Sequence, residues 1–309
     1  MILTVTLNPS IDKLYLVEHL TPETVMRVKE CRNTPGGKGL NVARAAAKLG
    51  EPVRALGFLG GFNGQYLASL LAGSGVEPAF TGSAAETRSC INVWDGAANR
   101  STEFLEPGAP VSPAEWAQFL ADFTAQLPEA DVVTISGSAP AGVPEDAYPT
   151  LIRRCRERSI PVLLDTSGAR LASAIAAKPT LIKPNGDEIR QITGREATGT
   201  EERLEALTAL HGAGVACPVL SLGAEGAMLV TDEGALSGRP PKITPKNTVG
   251  CGDTMLAGFA VGLARGMETE ATFRLALAVS AAGALSPATG DFDPEDFRAI
   301  LPEVTITRL

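Results

Sequence analysis

Short apolar runs alternate with segments of helical periodicity along most of the chain. The apolar runs predict β-strands at 2–7, 53–59, 130–137, 160–165, 180–183 and 217–223. Between them, apolar residues recur every three or four positions and predict helices at 40–49, 66–72, 113–126, 145–158, 187–193 and 201–213. Several strands are apolar without interruption, as strands covered on both faces are. The alternation therefore predicts an α/β fold with a mostly parallel central sheet.

Two segments in the N-terminal half depart from this alternation. Residues 13–33 and 87–108 each have the pattern of two strands joined by a turn, which falls on 95–101 (DGAANRS) in the second segment. We predict that both segments form one small β-sheet that lies over the rest of the protein as a lid. No linker or internal repeat divides the chain, so we expect a single domain over residues 1–309.

Composition and charge exclude several classes of partner. The 27 basic and 35 acidic residues give a net charge of −8, which argues against nucleic-acid binding. No apolar stretch reaches the roughly 18 residues that a membrane span requires. The five cysteines are scattered and there are only two histidines, so neither a disulfide framework nor a zinc site is predicted. The N-terminus does not have the pattern of a secretory leader, and we expect a cytoplasmic protein.

Glycine-rich and polar segments follow most of the predicted strands. In open α/β sheets, ligands bind beyond the carboxyl ends of the strands, so these segments are expected to meet. They are TLNPSID (6–12), PGGKGLNVAR (35–44), ISGSAP (135–140), IKPNGDE (182–188), SLGAEG (221–226) and NTVGCGDTMLAGF (247–259). A further segment, ETRSCIN (86–92), contributes Arg88 from the small sheet.

The common nucleotide and hydrolase signatures do not match these segments. A Walker loop requires serine or threonine after its lysine, but Lys38 is followed by Gly39. The third glycine of a dinucleotide fingerprint is replaced by Met255. Neither a Gly-x-Ser-x-Gly elbow nor a His-Glu-x-x-His motif is present. Serine hydrolases, zinc hydrolases and standard Rossmann dehydrogenases are therefore disfavoured.

The segment 247–259 fits phosphoryl transfer. Its transition state spreads negative charge over oxygen atoms, so catalysis depends on positioning and electrostatic stabilisation. Backbone N–H groups of Gly250, Cys251 and Gly252 at the start of a helix would bind that charge. Asp253 in the first turn would then accept the proton of the attacking hydroxyl. The alternative is that Asp253 only caps the helix.

The ordered motifs together resemble the PfkB-type, ribokinase-like sugar kinases, specifically their bacterial phosphosugar branch. PGGKGLNVARAAAKLG (35–50) resembles the first signature of that family and NTVGCGDTMLAGF resembles the second. TLNPSID, ISGSAPAG, KPNGDE and SLGAEGA match the intervening stretches in the expected order. The resemblance covers nearly the whole chain and implies a three-layer ribokinase-like sandwich, ATP and Mg²⁺ as cofactors, and a β lid that often builds a homodimer.

The resemblance also implies a role for each matching residue. Asp253 would be the catalytic base, with Gly250, Cys251 and Gly252 as the anion hole. The residues that would hold the phosphosugar are Asp12, Arg27, Gly37, Lys38, Asn41, Arg88 and Ser138. Those that would face ATP are Lys183, Asn185, Ser221, Gly223 and Gly226. Glu188, with Asn185, would act on Mg²⁺ through water. Each of these residues also has a structural alternative, such as a helix cap, a turn or a surface ion pair.

Two positions depart from the family pattern. Cys251 stands where alanine or serine is common, and a small thiol is acceptable there if the backbone N–H binds the anion. Asn247 stands near a position where potassium-binding relatives often have aspartate.

The resemblance leaves the substrate open among three ketohexose phosphates. ALGFLGGFNGQYL (55–67) and LPEVTITRL (301–309) resemble the enzymes that act on fructose 1-phosphate. ETRSCINV (86–93) partly resembles those that act on tagatose 6-phosphate, and fructose 6-phosphate is the third candidate. Fructose 1-phosphate is favoured. The rival interpretations are a kinase of nucleosides or unphosphorylated sugars and a non-catalytic sugar-phosphate sensor.

Overall fold

Fifteen strands and ten α-helices alternate through the computed structural model of the protein, which describes residues 1–309. The strands β1 to β15 are Ile2–Thr6, Ser10–Val17, Glu30–Gly36, Val53–Gly60, Val76–Pro78, Thr81–Ser83, Arg88–Asp95, Arg100–Leu105, Val132–Ser136, Val162–Asp165, Leu181–Ile182, Cys217–Ser221, Ala227–Thr231, Gly234–Arg239 and Thr305–Arg308. The helices α1 to α10 are Lys38–Lys48, Gly61–Leu71, Pro113–Gln126, Ala147–Arg156, Gly168–Ile175, Gly186–Thr193, Thr200–Gly212, Cys251–Ala264, Thr269–Leu285 and Pro294–Ile300.

The main sheet has eleven strands and is mostly parallel, as predicted. Its order is β15-β14-β13-β12-β11-β10-β9-β1-β4-β5, and β6 also pairs with β4. All pairs between β12 and β5 are parallel, whereas β12 to β15 form an antiparallel edge. The strand order reverses at β1, which is the place where an open α/β sheet forms a ligand crevice.

Helices cover both faces of this sheet and create two hydrophobic cores. Along β1, Ile2 belongs to one core, whereas Leu3 and Val5 belong to the other, because successive side chains of a strand point to opposite faces. The first core lies under α1, α2, α8, α9 and α10, and the second lies under α3, α4, α5, α6 and α7. This arrangement confirms the predicted layers.

The second core is built around aromatic rings. Phe119 and Phe123 are fully buried, and the ring centroids of Trp116 and Phe119 are 5.5 Å apart. Ser112 and Glu115 form a capping box at the start of α3, which fixes where this helix begins. Such a cap contributes about 1 kcal/mol, and each buried aromatic side chain contributes more through the area it removes from water.

The first core contains small residues where α8 packs against α9. A Cβ atom at Gly258 would lie 2.5 Å from Ala276 Cα, and one at Gly262 would lie 2.5 Å from Thr272 Cγ2. The two helices therefore approach at backbone distance, which only glycine permits at these positions. Helix α9 is the longest helix with 17 residues. No helix has both the length and the apolar character needed to cross a membrane.

The second sheet is the small one that the sequence predicts. Its four strands have the order β3-β2-β7-β8 and come from the predicted segments 13–33 and 87–108 with shifted bounds. It is attached to the main sheet by the segment that leaves β1. The Arg88 side chain donates to the Asn8 carbonyl from Nε (3.2 Å) and Nη2 (2.9 Å), and to the Glu106 carbonyl from Nη1 (2.7 Å).

Candidate active site

The carboxyl ends of the parallel strands bring most of the predicted site residues to one edge of the main sheet. Ser138 follows β9, Lys183 follows β11 and Ser221 ends β12. Helix α1 begins with Lys38 next to the end of β1, and α8 begins over the same edge. Groups more than 200 residues apart in sequence therefore meet in one crevice.

Asp253 is 5% exposed and lies in the first turn of α8. Its Oδ2 accepts a hydrogen bond from Asn41 Nδ2 at 2.8 Å. No side chain caps α8, whose N-cap is Gly250, so the interpretation of Asp253 as a helix cap is wrong for this structure. Burial, followed by the charge of Asp165, raises the pKa of Asp253 to about 7. A carboxylate with this pKa is suited to accept a proton at neutral pH.

The residues before Asp253 present unpaired backbone donors. Gly250 has a φ of 86°, and a Cβ atom there would lie 2.5 Å from Gly290 N. The N–H groups of Gly250 and Gly252 donate to no acceptor in the protein, whereas Cys251 N lies 3.3 Å from Thr248 O. The start of α8 also carries the positive end of the helix dipole. Together these features form a site for an anion beside Asp253.

Both departures from the family pattern have a local structural explanation. The Cys251 thiol is directed at the Asn247 carbonyl at 3.8 Å, and burial raises the pKa of Cys251 to about 11, so the thiol is neutral at pH 7. The Asn247 side chain accepts a hydrogen bond from Val249 N at 2.9 Å and so shapes the turn before Gly250. Neither residue removes a donor from the anion site.

Two lysines share one buried carboxylate at this edge. Asp165, the last residue of β10, contacts Lys38 Nζ through Oδ1 at 2.8 Å and Lys183 Nζ through Oδ2 at 3.0 Å. Burial disfavours the charge of Asp165, but Lys183 and Lys38 outweigh it and hold its pKa below the ordinary value. The Lys183 ammonium also lies beside α8, since a Cβ atom at Gly252 would be 3.1 Å from Lys183 Nζ. Two positive charges thus face the anion site.

Asp165 is the residue of this cluster that the sequence analysis missed. It is the last residue of the run IPVLLD (160–165), at the carboxyl end of a predicted strand, and the other candidates also lie at or after strand ends. Because a single aspartate at a strand end is common, its neighbours Lys38 and Lys183 become apparent only in the folded chain.

The candidate sugar-binding residues differ in how firmly the fold holds them. Asp12 lies in β2 with its Oδ1 bonded to Ser10 Oγ at 2.7 Å, and burial raises its pKa. Gly37 precedes α1, and Ser138 Oγ accepts a hydrogen bond from Asn8 Nδ2 at 3.2 Å. Arg27, in contrast, lies on the exposed loop between β2 and β3 and makes no hydrogen bond or ion pair. Three N–H groups of Arg88 are bonded to backbone carbonyls, and its predicted contact with the substrate stays a prediction.

The candidate ATP-binding residues lie at the neighbouring strand ends. Ser221 N donates to Pro184 O at 3.0 Å, which joins the end of β12 to the segment after β11. Gly223 and Gly226 form the turn into β13, and a Cβ atom at Gly226 would lie 2.0 Å from Gly238 O.

Asn185 and Glu188 form a capping box at the start of α6. Asn185 Oδ1 accepts from Glu188 N, and Glu188 Oε2 accepts from Asn185 N, both at 2.9 Å. The alternative interpretation of this pair, that it caps a helix, therefore also holds in the structure. Glu188 Oε1 makes no hydrogen bond, and no cluster of three His, Cys, Asp or Glu side chains exists in the protein. One free carboxylate oxygen fits contact with a hydrated Mg²⁺, and does not fit a cage of protein ligands.

Comparison with known proteins shows the family to which the chain belongs. Residues 5–296 match the family model described as pfkB family carbohydrate kinase. The chain is 36% identical over 310 residues to a 1-phosphofructokinase of Bacillus subtilis, covering 100% of both chains. It is similar to the structure of phosphofructokinase-2 from Escherichia coli with potassium, at 32% identity and a TM-score of 0.91, covering 97% and 98% of the two chains. That Escherichia coli enzyme also has a tetrameric inhibited form.

A ribokinase from Arabidopsis thaliana, solved with ribose and ATP, shares the fold. Its TM-score is 0.77 at 20% identity, covering 97% and 98% of the two chains. The predicted ribokinase-like fold is confirmed by this similarity.

Proposed function

Because this chain belongs to the pfkB family of carbohydrate kinases, we propose that it transfers the γ-phosphoryl group of ATP to fructose 1-phosphate. The products are fructose 1,6-bisphosphate and ADP. The observation that carries this proposal is the buried Asp253 carboxylate next to the unpaired N–H groups of Gly250 and Gly252. The full-length similarity to a 1-phosphofructokinase supports the choice of substrate.

The site residues support a direct in-line transfer. Asp253 accepts the proton of the attacking sugar hydroxyl, which is deprotonated as its oxygen bonds to the γ-phosphorus. The amides of Gly250, Cys251 and Gly252 stabilise the charge on the transferring group. Lys38 and Lys183, which are held by Asp165, would stabilise negative charge on the phosphate groups.

Mg²⁺ is proposed as the metal cofactor, and Asn185 and Glu188 are the residues that would hold its water shell. When bound, it would neutralise charge on the ATP phosphates. ATP itself is proposed to lie along Lys183, Asn185, Ser221, Gly223 and Gly226, the residues after β11 and β12.

The decisive experiment is a comparison of substrates with MgATP. We expect kcat/KM for fructose 1-phosphate to exceed that for tagatose 6-phosphate and fructose 6-phosphate by at least about tenfold, or about 1.4 kcal/mol of transition-state binding. Preference for tagatose 6-phosphate would shift the assignment to the second candidate. Efficient turnover of adenosine or unphosphorylated fructose would support the nucleoside or sugar kinase interpretation, and no ADP release with any of them would support a sensor.

The base assignment predicts a large loss of activity in Asp253→Asn. The variant keeps the shape of the side chain but cannot accept the proton, so kcat should fall by about 10²–10⁴-fold. Steady-state kinetics measures this loss, and ATP affinity by calorimetry serves as the control for intact binding. Unchanged kcat would refute the role of Asp253.

We also propose a homodimer formed through the small sheet. Apolar side chains are exposed on this sheet and on the adjacent loop and helix, namely Val25 (90%), Phe62 (84%), Phe104 (58%) and Leu105 (65%). Sedimentation of the parent and of Phe104→Glu tests this interface, and a monomeric parent would exclude it.

The five cysteines form no disulfide, which agrees with the proposed cytoplasmic location.

A further inference from the structure

The side chain of Arg44 lies one helical turn behind Asn41 on α1 and has no function in the proposed reaction. It is half-buried, yet no carboxylate lies within ion-pair distance of it, and its Nε is buried without a partner. A guanidinium in this position loses hydration without gaining a salt bridge, so its retention requires an explanation.

Two consecutive hydrogen bonds connect Arg44 to Asp253 through Asn41. Arg44 Nη2 donates to Asn41 Oδ1 at 2.7 Å, and Asn41 Nδ2 donates to Asp253 Oδ2 at 2.8 Å. An asparagine amide has one acceptor end and one donor end. Because a guanidinium can only donate, it binds the oxygen and leaves the nitrogen for Asp253.

The same guanidinium also reaches the segment that supports the anion site. Arg44 Nη2 donates to Thr289 O at 3.0 Å. The next residue, Gly290, packs against both Asn41 and Gly250: a Cβ atom at Gly290 would lie 2.5 Å from Asn41 Cβ, and one at Gly250 would lie 2.5 Å from Gly290 N. Arg44 thus contacts the two elements that flank Asp253.

We propose that Arg44 is a positioning residue, whose guanidinium fixes the Asn41 amide so that its nitrogen faces Asp253. This inference rests on the proposed role of Asp253 as the base. Without Arg44, the Asn41 amide can turn its oxygen toward the carboxylate, and the hydrogen bond becomes a repulsion between two acceptors. Protonation of Asp253 would then be favoured.

Other charges also act on Asp253 and have to be separated from this effect. They are Asp165 at the end of β10, Lys38 on α1 and Lys183 after β11, together with the charge of Arg44 itself. Removal of Arg44 raises the pKa of Asp253 through its charge alone or through Asn41. The two routes differ in whether Asn41 must be present.

The test is a double-mutant cycle with Arg44→Met and Asn41→Leu. The pKa of Asp253 is measured from its side-chain ¹³C resonance in aspartate-labelled protein, with Asp253→Asn to assign the signal. A hydrogen bond to a charged group corresponds to a change of about 1 in pKa, so Arg44→Met should raise the pKa of Asp253 by about 1. In the Asn41→Leu background, Arg44→Met should change it little further.

An equal rise in both backgrounds would overturn the inference, because Arg44 would then act through its charge alone. No rise in Arg44→Met would overturn it as well. In the kinase assay, the acid limb of kcat/KM against pH should move to higher pH by the same amount. A parent protein without kinase activity would refute the proposed function, whereas the ¹³C titration would still test Arg44.

Arg265 offers a matched control. Arg265 Nη2 donates to the Leu49 carbonyl at 2.7 Å, just after the end of α1 and away from Asp253. Arg265→Met should lower the Tm without moving the pKa of Asp253. If Arg44→Met does not fold, Arg44→Lys replaces it: its single ammonium lacks the fork of the guanidinium. A raised pKa of Asp253 in this variant supports the inference, and an unchanged pKa overturns it.

Discussion

The two faces of the main sheet differ in how closely the helix backbones approach one another. Under α3 and α4, large rings such as Phe119, Phe123 and Tyr148 fill the core and are fully buried. Under α8 and α9, glycines such as Gly258 bring backbones together, and the strands beneath carry hydroxyls such as that of Thr134. We infer that the rings are central to the stability of the face under α3 and α4, whereas the close contacts between α8 and α9 hold the start of α8 in position. A substitution that removes side-chain volume should therefore lower the stability of the packing under α3 and α4. A substitution that adds volume should disturb the packing of α8 against α9.

Phe119→Ala should have the largest effect on stability. The ring contacts both Phe58 and Phe123, with centroids 5.1 Å and 6.1 Å away, and its removal leaves a cavity. We expect a loss of about 3–5 kcal/mol in the free energy of unfolding, measured by urea denaturation. At 15 °C, where the variant is folded, kcat should remain within about twofold of the parent. A loss of kcat comparable to that of Asp253→Asn would show that the two faces are not separate in function.

Gly258→Val should have the opposite effect and reduce kcat more than it reduces stability. A Cβ atom at position 258 meets the backbone of α9, so α8 must move away and carry Asp253 with it. Overpacking costs about 1–3 kcal/mol in unfolding free energy, but a displacement of about 1 Å at the reacting groups can reduce kcat by about 10²-fold. Both quantities are measured on the same preparation. Gly212→Val controls for a new β-branched residue in a helix, because a Cβ atom at this position of α7 would have no heavy atom within 4 Å.

The pH dependence of stability should differ between the parent and Asp253→Asn. The folded-state pKa of Asp253, about 7, exceeds the ordinary aspartate pKa of 3.8, so its contribution to stability is present below pH 3.8 and is lost as pH rises through 7. Asparagine carries no charge to bury. The variant should therefore be more stable than the parent at pH 8, and the difference should shrink at pH 5.

Thermal unfolding at the two pH values measures this difference. Asp146→Asn is the control, since its side chain is 69% exposed. The same advantage of Asp253→Asn at both pH values would mean that the carboxylate is not destabilised by burial.

Thr134→Val should have the smallest effect. The Thr134 hydroxyl is buried between the sheet and α8 without a partner, like those of Thr4, Thr6 and Ser136. A methyl group of similar size has no lost hydration to replace, so we expect a gain of about 0.5–1 kcal/mol in unfolding free energy. Urea denaturation measures the change, and Thr124→Val is the control because its hydroxyl bonds to Leu120 O at 2.6 Å. Destabilisation by Thr134→Val would show that its hydroxyl has a partner such as an ordered water.

The elements that were predicted correctly are those with local signals in the sequence, and the elements that were missed lack such signals. Helix α3 has its predicted bounds, 113–126, and Ser112, Pro113 and Glu115 are local signals of its start. Helix α9 is buried around most of its circumference, so no polar stripe reveals its period, and it was not predicted. The antiparallel strands β13 to β15 were also missed, since GALSGR is rich in glycine and has little apolar alternation.

The candidate site was predictable where a motif is contiguous. The segment 247–259 indicated a base next to backbone donors, and the structure places Asp253 and these donors together. Asp165 and Arg44 were not predicted, because their importance depends on partners such as Lys183 and Thr289 that are distant in sequence. The role of Arg27 stays a prediction, because this residue lies on an exposed loop where no neighbour fixes its side chain.

The carbonyl of Cys251 holds the first turn of α8, which carries the anion site, in its folded conformation. Cys251 O accepts hydrogen bonds from both Thr254 Oγ1 and Ser280 Oγ, each at 3.0 Å, so α9 fastens the first turn of α8. The entropy of ordering residues 250–253 is therefore lost during folding and not when a ligand arrives. The amides of Asp253 and Thr254, which bond to Gly250 O, should exchange equally slowly with and without ligand, whereas a bound anion should slow exchange at the unpaired amides of Gly250 and Gly252.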